Sequence, residues 1–314
     1  MRATAPVLLA THERCGEHRP FGGHPERPER LDAAREGAEL AGAVRLDVAV
    51  DEDEVLAAVE RVHDSDLPRR LQDACAHAPS IFDSQDNPIS AGSYRAAIAA
   101  VASSLAAVDA VLHGAERVFV PVRPPGHHAL RDRAIGFCFF NNVAVAAEEL
   151  LARSGGPVAI VDFDVHHGNG TQAHFWDRDD AFYLSVHRYP FFPGSGAADE
   201  VGGARGRGFN RNFPLASGAD DAIYVGALAA GIEEILEVMT PKAWLVSAGF
   251  DAHREDPLGG MQVSDEGYAA IGEMLDRARG EGPVIAVLEG GYSLEALRRS
   301  VQAFVSGLAR SATS

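Results

Sequence analysis

Two carboxylates and an imidazole stand at alternate positions, Asp162, Asp164 and His166, at the end of the apolar run Val158–Phe163. In an extended chain, side chains two apart project to the same face, so the three would point one way. Such groups on an apolar strand are costly to bury unless they are paired or hold a metal. Asp164 and His166 are donors suited to a borderline metal such as zinc. Asp251, 87 residues after Asp164 and at the end of another apolar run, supplies a third. Three protein ligands with an open fourth position is the catalytic rather than the structural zinc arrangement. Helix capping would not explain three polar residues alternating through a strand. Asp162, deeper in the run, is read as orienting a histidine or binding a monovalent cation together with backbone carbonyls.

The other residues able to do chemistry follow apolar runs as well. His127 and His128 come after Arg123-Pro124-Pro125-Gly126. An imidazole titrates near neutral pH, so a tandem pair beside a metal suits acid–base work. Tyr292 follows Glu289-Gly290-Gly291 and can donate a hydrogen bond to a developing oxyanion opposite the metal. Phe137 and Phe192 flank Gly- or Pro-rich turns and would wall a narrow channel.

These residues need a frame, and the apolar pattern supplies one. Strands are expected at Val7–Thr11, Arg117–Val122, Val158–Phe163, Phe182–Val186, Ala243–Ala248 and Val284–Leu288. Ala-rich helices are expected at Ser93–His113, Val143–Arg153, Asp221–Met239, Ser264–Arg279 and Leu294–Leu308, with Gly114 and Gly280 placed to stop two of them. Continuous apolar strands alternating with amphipathic helices predict an α/β fold: a mainly parallel sheet with helices on both faces. Ligands of such sheets bind beyond the carboxyl ends of the strands, where the histidines, aspartates and Tyr292 fall. His187 and His253 follow two of the runs in the same way. Gly202–Gly208 resembles a phosphate loop only superficially and reads as a surface loop.

The chain has 314 residues, 46% of them hydrophobic, and a formal net charge of −17. No repeat or linker divides it, so a single catalytic domain over residues 1–314 is the simplest reading. Its apolar content excludes a disordered chain. No stretch approaches about 18 uninterrupted apolar residues, which argues against a membrane span. The opening Met1–Arg14 reads as a first strand rather than a signal peptide. Cys15, Cys75 and Cys138 lack paired spacing, so no disulfide framework or Cys-rich zinc site is indicated and a reducing cytoplasm is expected. The acidic balance argues against nucleic acid as a partner and tolerates a cationic substrate.

Taken together, these blocks resemble the histone deacetylase superfamily, in particular its class II branch, which includes bacterial histone-deacetylase-like amidohydrolases. The resemblance rests on His24–Leu31, Arg123–Ala129, Gly136–Asn142, Asp162–Thr171, Ser185–His187, Phe191–Gly194, Ser247–Asp251, Asp256–Gly260 and Glu289–Tyr292, in family order. It implies an arginase/deacetylase-like fold and a zinc-dependent amidohydrolase acting through metal-activated water. Asp164, His166 and Asp251 match the zinc ligands, and His128 the general base and acid. His127 matches its electrostatic partner, oriented by Asp162. Asn169 stands where the partner of His128 is expected; asparagine is the class II form and should leave His128 less basic. Tyr292 matches the tyrosine that polarises the acyl carbonyl. Phe137 and Phe192 match the walls of the acyl-lysine tunnel, with Gly136, Leu258 and Gly290 as further substrate-binding positions. Structural potassium is implied at Asp162, Asp164, His166, Ser185 and Val186, mostly through backbone oxygens, and a second ion at Phe175, Arg178, Ala181 and Phe209.

The expected substrate is an N-acyl-lysine peptide or protein, or a small acylated amine, with no direct nucleic-acid or membrane partner; a homo-oligomer is compatible with this reading. Acetylpolyamine amidohydrolases share the motifs. Polyamine-selective relatives, however, place an acidic gatekeeper where this chain has Leu258, and the bacterial ones carry a long early insertion for which Thr11–Leu31 is too short. A ureohydrolase needs further bridging carboxylates where this chain has Asp251 and His253. A non-catalytic acyl-lysine binder is opposed by Tyr292 and the complete ligand set.

Overall fold

The computed structural model describes residues 5–310. In chain order the elements begin with β1 (Leu8–Ala10), α1 (Glu29–Leu40), β2 (Val44–Leu46), α2 (Glu52–Val59) and α3 (Leu67–Cys75). Next come β3 (Ser80–Ile81), β4 (Pro88–Ile89), α4 (Ser93–Leu112), β5 (Arg117–Val120), α5 (Asn142–Ser154) and β6 (Val158–Asp162). They continue with α6 (Asn169–Phe175), β7 (Ala181–Arg188), β8 (Asn210–Leu215), α7 (Asp221–Val238) and β9 (Ala243–Ala248). The last are α8 (Asp265–Ala278), β10 (Val284–Leu288) and α9 (Leu294–Leu308). Eight strands form one sheet in the order β2-β1-β5-β10-β9-β6-β7-β8. Every pairing in it is parallel. β3 and β4 make a small separate antiparallel pair.

Alternation along the strands divides the apolar residues between two cores. Val158 and Ile160 of β6 pack with Val101 of α4 and Val143 of α5 on one face, whereas Ala159 and Val161 pack with Leu228 of α7 and Phe304 of α9 on the other. Burial on both faces is why these strands read as unbroken apolar runs. Helix starts are fixed locally: Asn141, Asp220 and Ser264 each accept a hydrogen bond from a backbone N–H of the first turn of α5, α7 and α8. The helix α4 is long and apolar enough to cross a membrane, but most of it is buried inside the fold.

The six expected strands and five expected helices are all present. The expected strands at Arg117–Val122 and Val158–Phe163 end early, at Val120 and Asp162; Val122 and Phe163 lie beyond them and are buried all the same, so the apolar run outlasts the strand. In the other direction β7 runs on to Arg188, which places His187 inside a strand. The edge strands β2 and β8 were not anticipated, nor were α1, α2, α3 and α6. Gly202–Gly208 forms a loop with a single 3-10 turn at Ala204–Gly206.

Candidate active site

The central strands β5, β10, β9, β6 and β7 release their loops at one edge of the sheet. The pairing Asp162↔Ser247 aligns the ends of β6 and β9, and Ala248↔Leu288 aligns those of β9 and β10. Loops 249–251 and 289–292 then leave side by side, joined where Phe250 N donates to Gly290 O at 3.0 Å.

Asp164 and His166 share a direction for a different reason than strand alternation. Beyond Asp162 the chain leaves the strand. Asp164 N donates to Asp162 Oδ1 at 3.1 Å, and His166 N donates to Asp164 Oδ1 at 2.9 Å. Each aspartate thus folds the backbone two residues on over its own side chain, the turn that Asp favours.

The cluster that results is tight. Donor atoms of Asp164, His166 and Asp251 all lie within 4.8 Å of one another. His166 Nδ1 lies 3.0 Å from Asp164 Oδ1 and 3.2 Å from Asp251 Oδ2. Tetrahedral zinc with N and O ligands would space its donors by about 3.3 Å. Asp251 Oδ1 accepts from Val165 N at 2.9 Å, while the buried Oδ2 has no hydrogen bond among the described residues. An orphaned carboxylate oxygen aimed at two other donors fits a divalent cation. Gly290 is needed for this approach: a Cβ there would lie 2.0 Å from Asp251 Oδ2, and its N–H donates to Asp164 Oδ2 at 2.7 Å. Burial and the adjacent Asp164 charge push Asp251 up to about 7. Burial disfavours charge on His166, but the two carboxylates outweigh it and hold the ring up to about 9.

The tandem histidines have opposite surroundings. Burial opposes charge on His127, but Asp162, Asp164 and Glu289 outweigh it and push the ring up to about 10. Its Nδ1 lies 3.0 Å from Asp162 Oδ2, which also accepts from Tyr183 Oη at 3.0 Å. Burial, then the charges of His127 and His166, push His128 well below the ordinary imidazole value. His128 Nδ1 lies 2.8 Å from Asn169 Oδ1. The amide oxygen can only accept, so Nδ1 carries the hydrogen and Nε2 keeps a lone pair.

Above the cluster lies a pocket of about 360 Å³ lined by His128, Gly136, Phe137, His166, Phe192, Leu258 and Tyr292, with Ser84, Gln85 and Asp86 at its side. His128 meets Phe192 edge to face at 5.1 Å, and Phe137 meets Tyr292 in the same way at 5.9 Å. Gly136 (φ +63°) has no room for a side chain, since a Cβ would lie 2.3 Å from the His128 ring. Burial holds the Tyr292 phenol protonated, well above its ordinary value.

Some sequence candidates lie elsewhere. Ser185 pairs with Asp162 across β6 and β7, and Tyr224 Oη, with one hydrogen to donate, lies 2.9 Å from Val186 O and 2.8 Å from Phe163 O. Phe175, Arg178, Ala181 and Phe209 gather at the turn from α6 into β7, near the amino end of that strand; Arg178 N donates to Phe175 O at 3.1 Å. His187 bonds Ser185 Oγ and Gly196 O, and His253 lies beside Asp265; neither lines the pocket.

A buried charge network was not anticipated. Glu26 pairs with both Arg30 and Arg123. Burial opposes its charge, but Arg123, His18 and Arg30 hold it down to about 2. Arg30 donates to the carbonyls of Glu289 and Gly291 and lies 4.8 Å over the Tyr292 ring. Glu289 itself accepts from the N–H groups of Gly126 and His127 at 2.7 and 3.1 Å. Glu26 and Arg30, four apart at a helix start, look in sequence like an ordinary surface pair.

The histone deacetylase domain family matches residues 24–308. Histone deacetylase-like amidohydrolase of Pseudomonas aeruginosa is 41% identical over 281 residues, covering 86% of this chain and 73% of that protein. Acetylpolyamine amidohydrolase 2 of the same organism is 41% identical over 213 residues, 66% of this chain and 60% of that relative's length. The crystal structure of an acetylpolyamine aminohydrolase from Burkholderia pseudomallei is similar with a TM-score of 0.86 at 30% identity, covering 96% of this chain and 98% of that one. With that match and these identities over most of its length, the chain belongs to the histone deacetylase family and is a hydrolytic enzyme of it.

Proposed function

We propose that the protein is a zinc-dependent deacylase that hydrolyses the amide of N-acetyl-lysine in peptides or proteins, or of related acylated amines. The observation that carries this reading is the Asp164–His166–Asp251 cluster at the foot of a pocket walled by Phe137 and Phe192. A divalent ion held by these three residues would polarise the acyl carbonyl and lower the pKa of a water molecule. His128, neutral and with Nε2 free, takes the proton of the attacking water and passes it to the leaving amine. His127, charged and anchored on Asp162, places positive charge beside the reacting centre. Tyr292 donates its phenol hydrogen to the developing oxyanion. Phe137 and Phe192 hold an extended aliphatic chain and exclude water. We assign one or two structural potassium ions, the first at Asp162, Asp164, His166, Ser185 and Val186, the second at Phe175, Arg178, Ala181 and Phe209. The first set flanks the cluster, and a carbonyl already accepting one bond keeps a second lone pair for a cation. The class II assignment rests on Asn169. Three buried, unpaired cysteines suit a reducing cytoplasm. A homo-oligomer is compatible with this reading.

The second reading is an acetylpolyamine amidohydrolase, favoured by the names of two relatives. Apolar Leu258 on the pocket wall weighs against it, because a polycationic substrate gains from a carboxylate there. The experiment is a comparison of kcat/KM for an acetyl-lysine peptide, a longer acyl-lysine peptide, N-acetylputrescine and N8-acetylspermidine, on zinc-loaded protein and on the Leu258→Glu variant. The expected result is peptide preference in the wild type, lost on chelation, with a shift toward polyamines in Leu258→Glu. Polyamine preference in the wild type would reverse the order of the two readings.

A further inference from the structure

A single carboxylate behind the pocket touches both its rim and the backbone that carries the phenol. Asp256, almost wholly buried, accepts from Leu258 N through Oδ1 at 2.9 Å. Through Oδ2 it accepts from Tyr292 N at 2.6 Å and from Ser293 N at 3.3 Å. Tyr292 hangs on a Gly290–Gly291 turn, and Gly291 has φ +121°, a conformation that L side chains rarely adopt. A two-glycine turn is free to wander unless its polar groups are held. Here Arg30 takes the carbonyls of Glu289 and Gly291, and Asp256 takes the two amides that follow. Those amides lead into α9, whose N-cap Ser293 makes no side-chain capping bond, and Asp256 reaches the N–H of that N-cap residue from another loop. The positive end of the helix favours a carboxylate at that position.

We propose that Asp256 is a positioning residue that ties Leu258 at the pocket rim to Tyr292, so that one carboxylate sets both the substrate-facing wall and the oxyanion donor. The proposal rests on the deacylase reading above. Asparagine has one accepting oxygen and one NH₂ group, whereas N–H donors face Asp256 from both sides. Asp256→Asn must therefore release either the rim or the Tyr292 backbone.

The test measures kcat, KM and bound zinc for wild type, Asp256→Asn, Tyr292→Phe and the double variant on an acetyl-lysine peptide. We expect Asp256→Asn to lower kcat on the order of 10–10²-fold, the scale of a small misplacement of a reacting group, with one zinc retained. In the Tyr292→Phe background the same substitution should change kcat by no more than about twofold, because the donor it positions is already gone. An equal factor in both backgrounds, an unchanged kcat in the single variant, or loss of zinc would each overturn the proposal. Should Asp256→Asn fail to fold, Asp256→Glu, which keeps both oxygens one methylene further out, carries the same cycle. Inactive wild-type protein would count against the deacylase reading itself, which separates the two failures.

Discussion

His166 Nδ1 has two rivals for its lone pair, a proton and a metal ion. With the ring held up to about 9 and Asp251 up to about 7, the metal-free cluster keeps protons that the unfolded chain releases. Both folded values lie above the ordinary ones. Their stabilising effect is therefore full at low pH and fades as pH rises, through about 7 for Asp251 and then about 9 for His166. A metal acts in the opposite sense, because it binds the deprotonated ligands and expels those protons. The rise in Tm on adding zinc at fixed free concentration should thus be larger at pH 8 than at pH 6, as read by thermal unfolding. An increment equal at both pH values would contradict this ligand set. At this scale the grouping was legible: Asp164, His166 and Asp251, singled out by residue type, lie with donor atoms within 4.8 Å of one another. Their geometry was not legible, because the common direction of Asp164 and His166 comes from successive side-chain-to-backbone turns that strand periodicity does not describe.

The elements are held at the site by charges the sequence hides. Glu26, just before α1, is buried between Arg30 and the Arg123 that follows β5, so it locks the first helix to the loop carrying His127. Removing one member of a buried ionic group leaves the others uncompensated. Glu26→Gln should therefore cost about 3–5 kcal/mol in urea-induced unfolding, and a loss under about 1 kcal/mol would mean that the network does not hold the elements together. Glu26 is held down to about 2, so its contribution is present above the ordinary carboxylate range and is lost as pH falls toward 2. The two edge strands missed from sequence share a cause. β2 is three residues long and mostly exposed, and β8 carries Asn210, Arg211, Asn212 and Pro214 on a half-buried edge. Edge strands need no continuous apolar run, so the signal that found the inner six is absent there.

For the whole molecule, composition and periodicity had already indicated a parallel sheet with helices on both faces. What they could not indicate was that β5 and β9 would flank β10, which brings Glu289 to the His127 loop and Gly290 to Asp164. The formal charge of −17 belongs to this scale as well. A strongly acidic molecule draws in cations, and salt screens that attraction over roughly 10 Å at 0.1 M. For a lysine-rich acyl peptide, kcat/KM should fall severalfold as ionic strength rises with potassium held constant, while a neutral acyl-lysine substrate should change little. Equal salt sensitivity for both substrates would mean that the overall field plays no part in capture.

The register that joins β6 to β9 has a consequence in time. Asp164 and Asp251 are distant in sequence and are brought together where β6 pairs with β9, and Gly290, just beyond β10, donates to Asp164. Loops this long close late in a chain dominated by non-local pairings. Zinc uptake during refolding would therefore act as a clock for the last long-range step, remaining silent while helices and local turns form and reporting only when the centre of the sheet is complete.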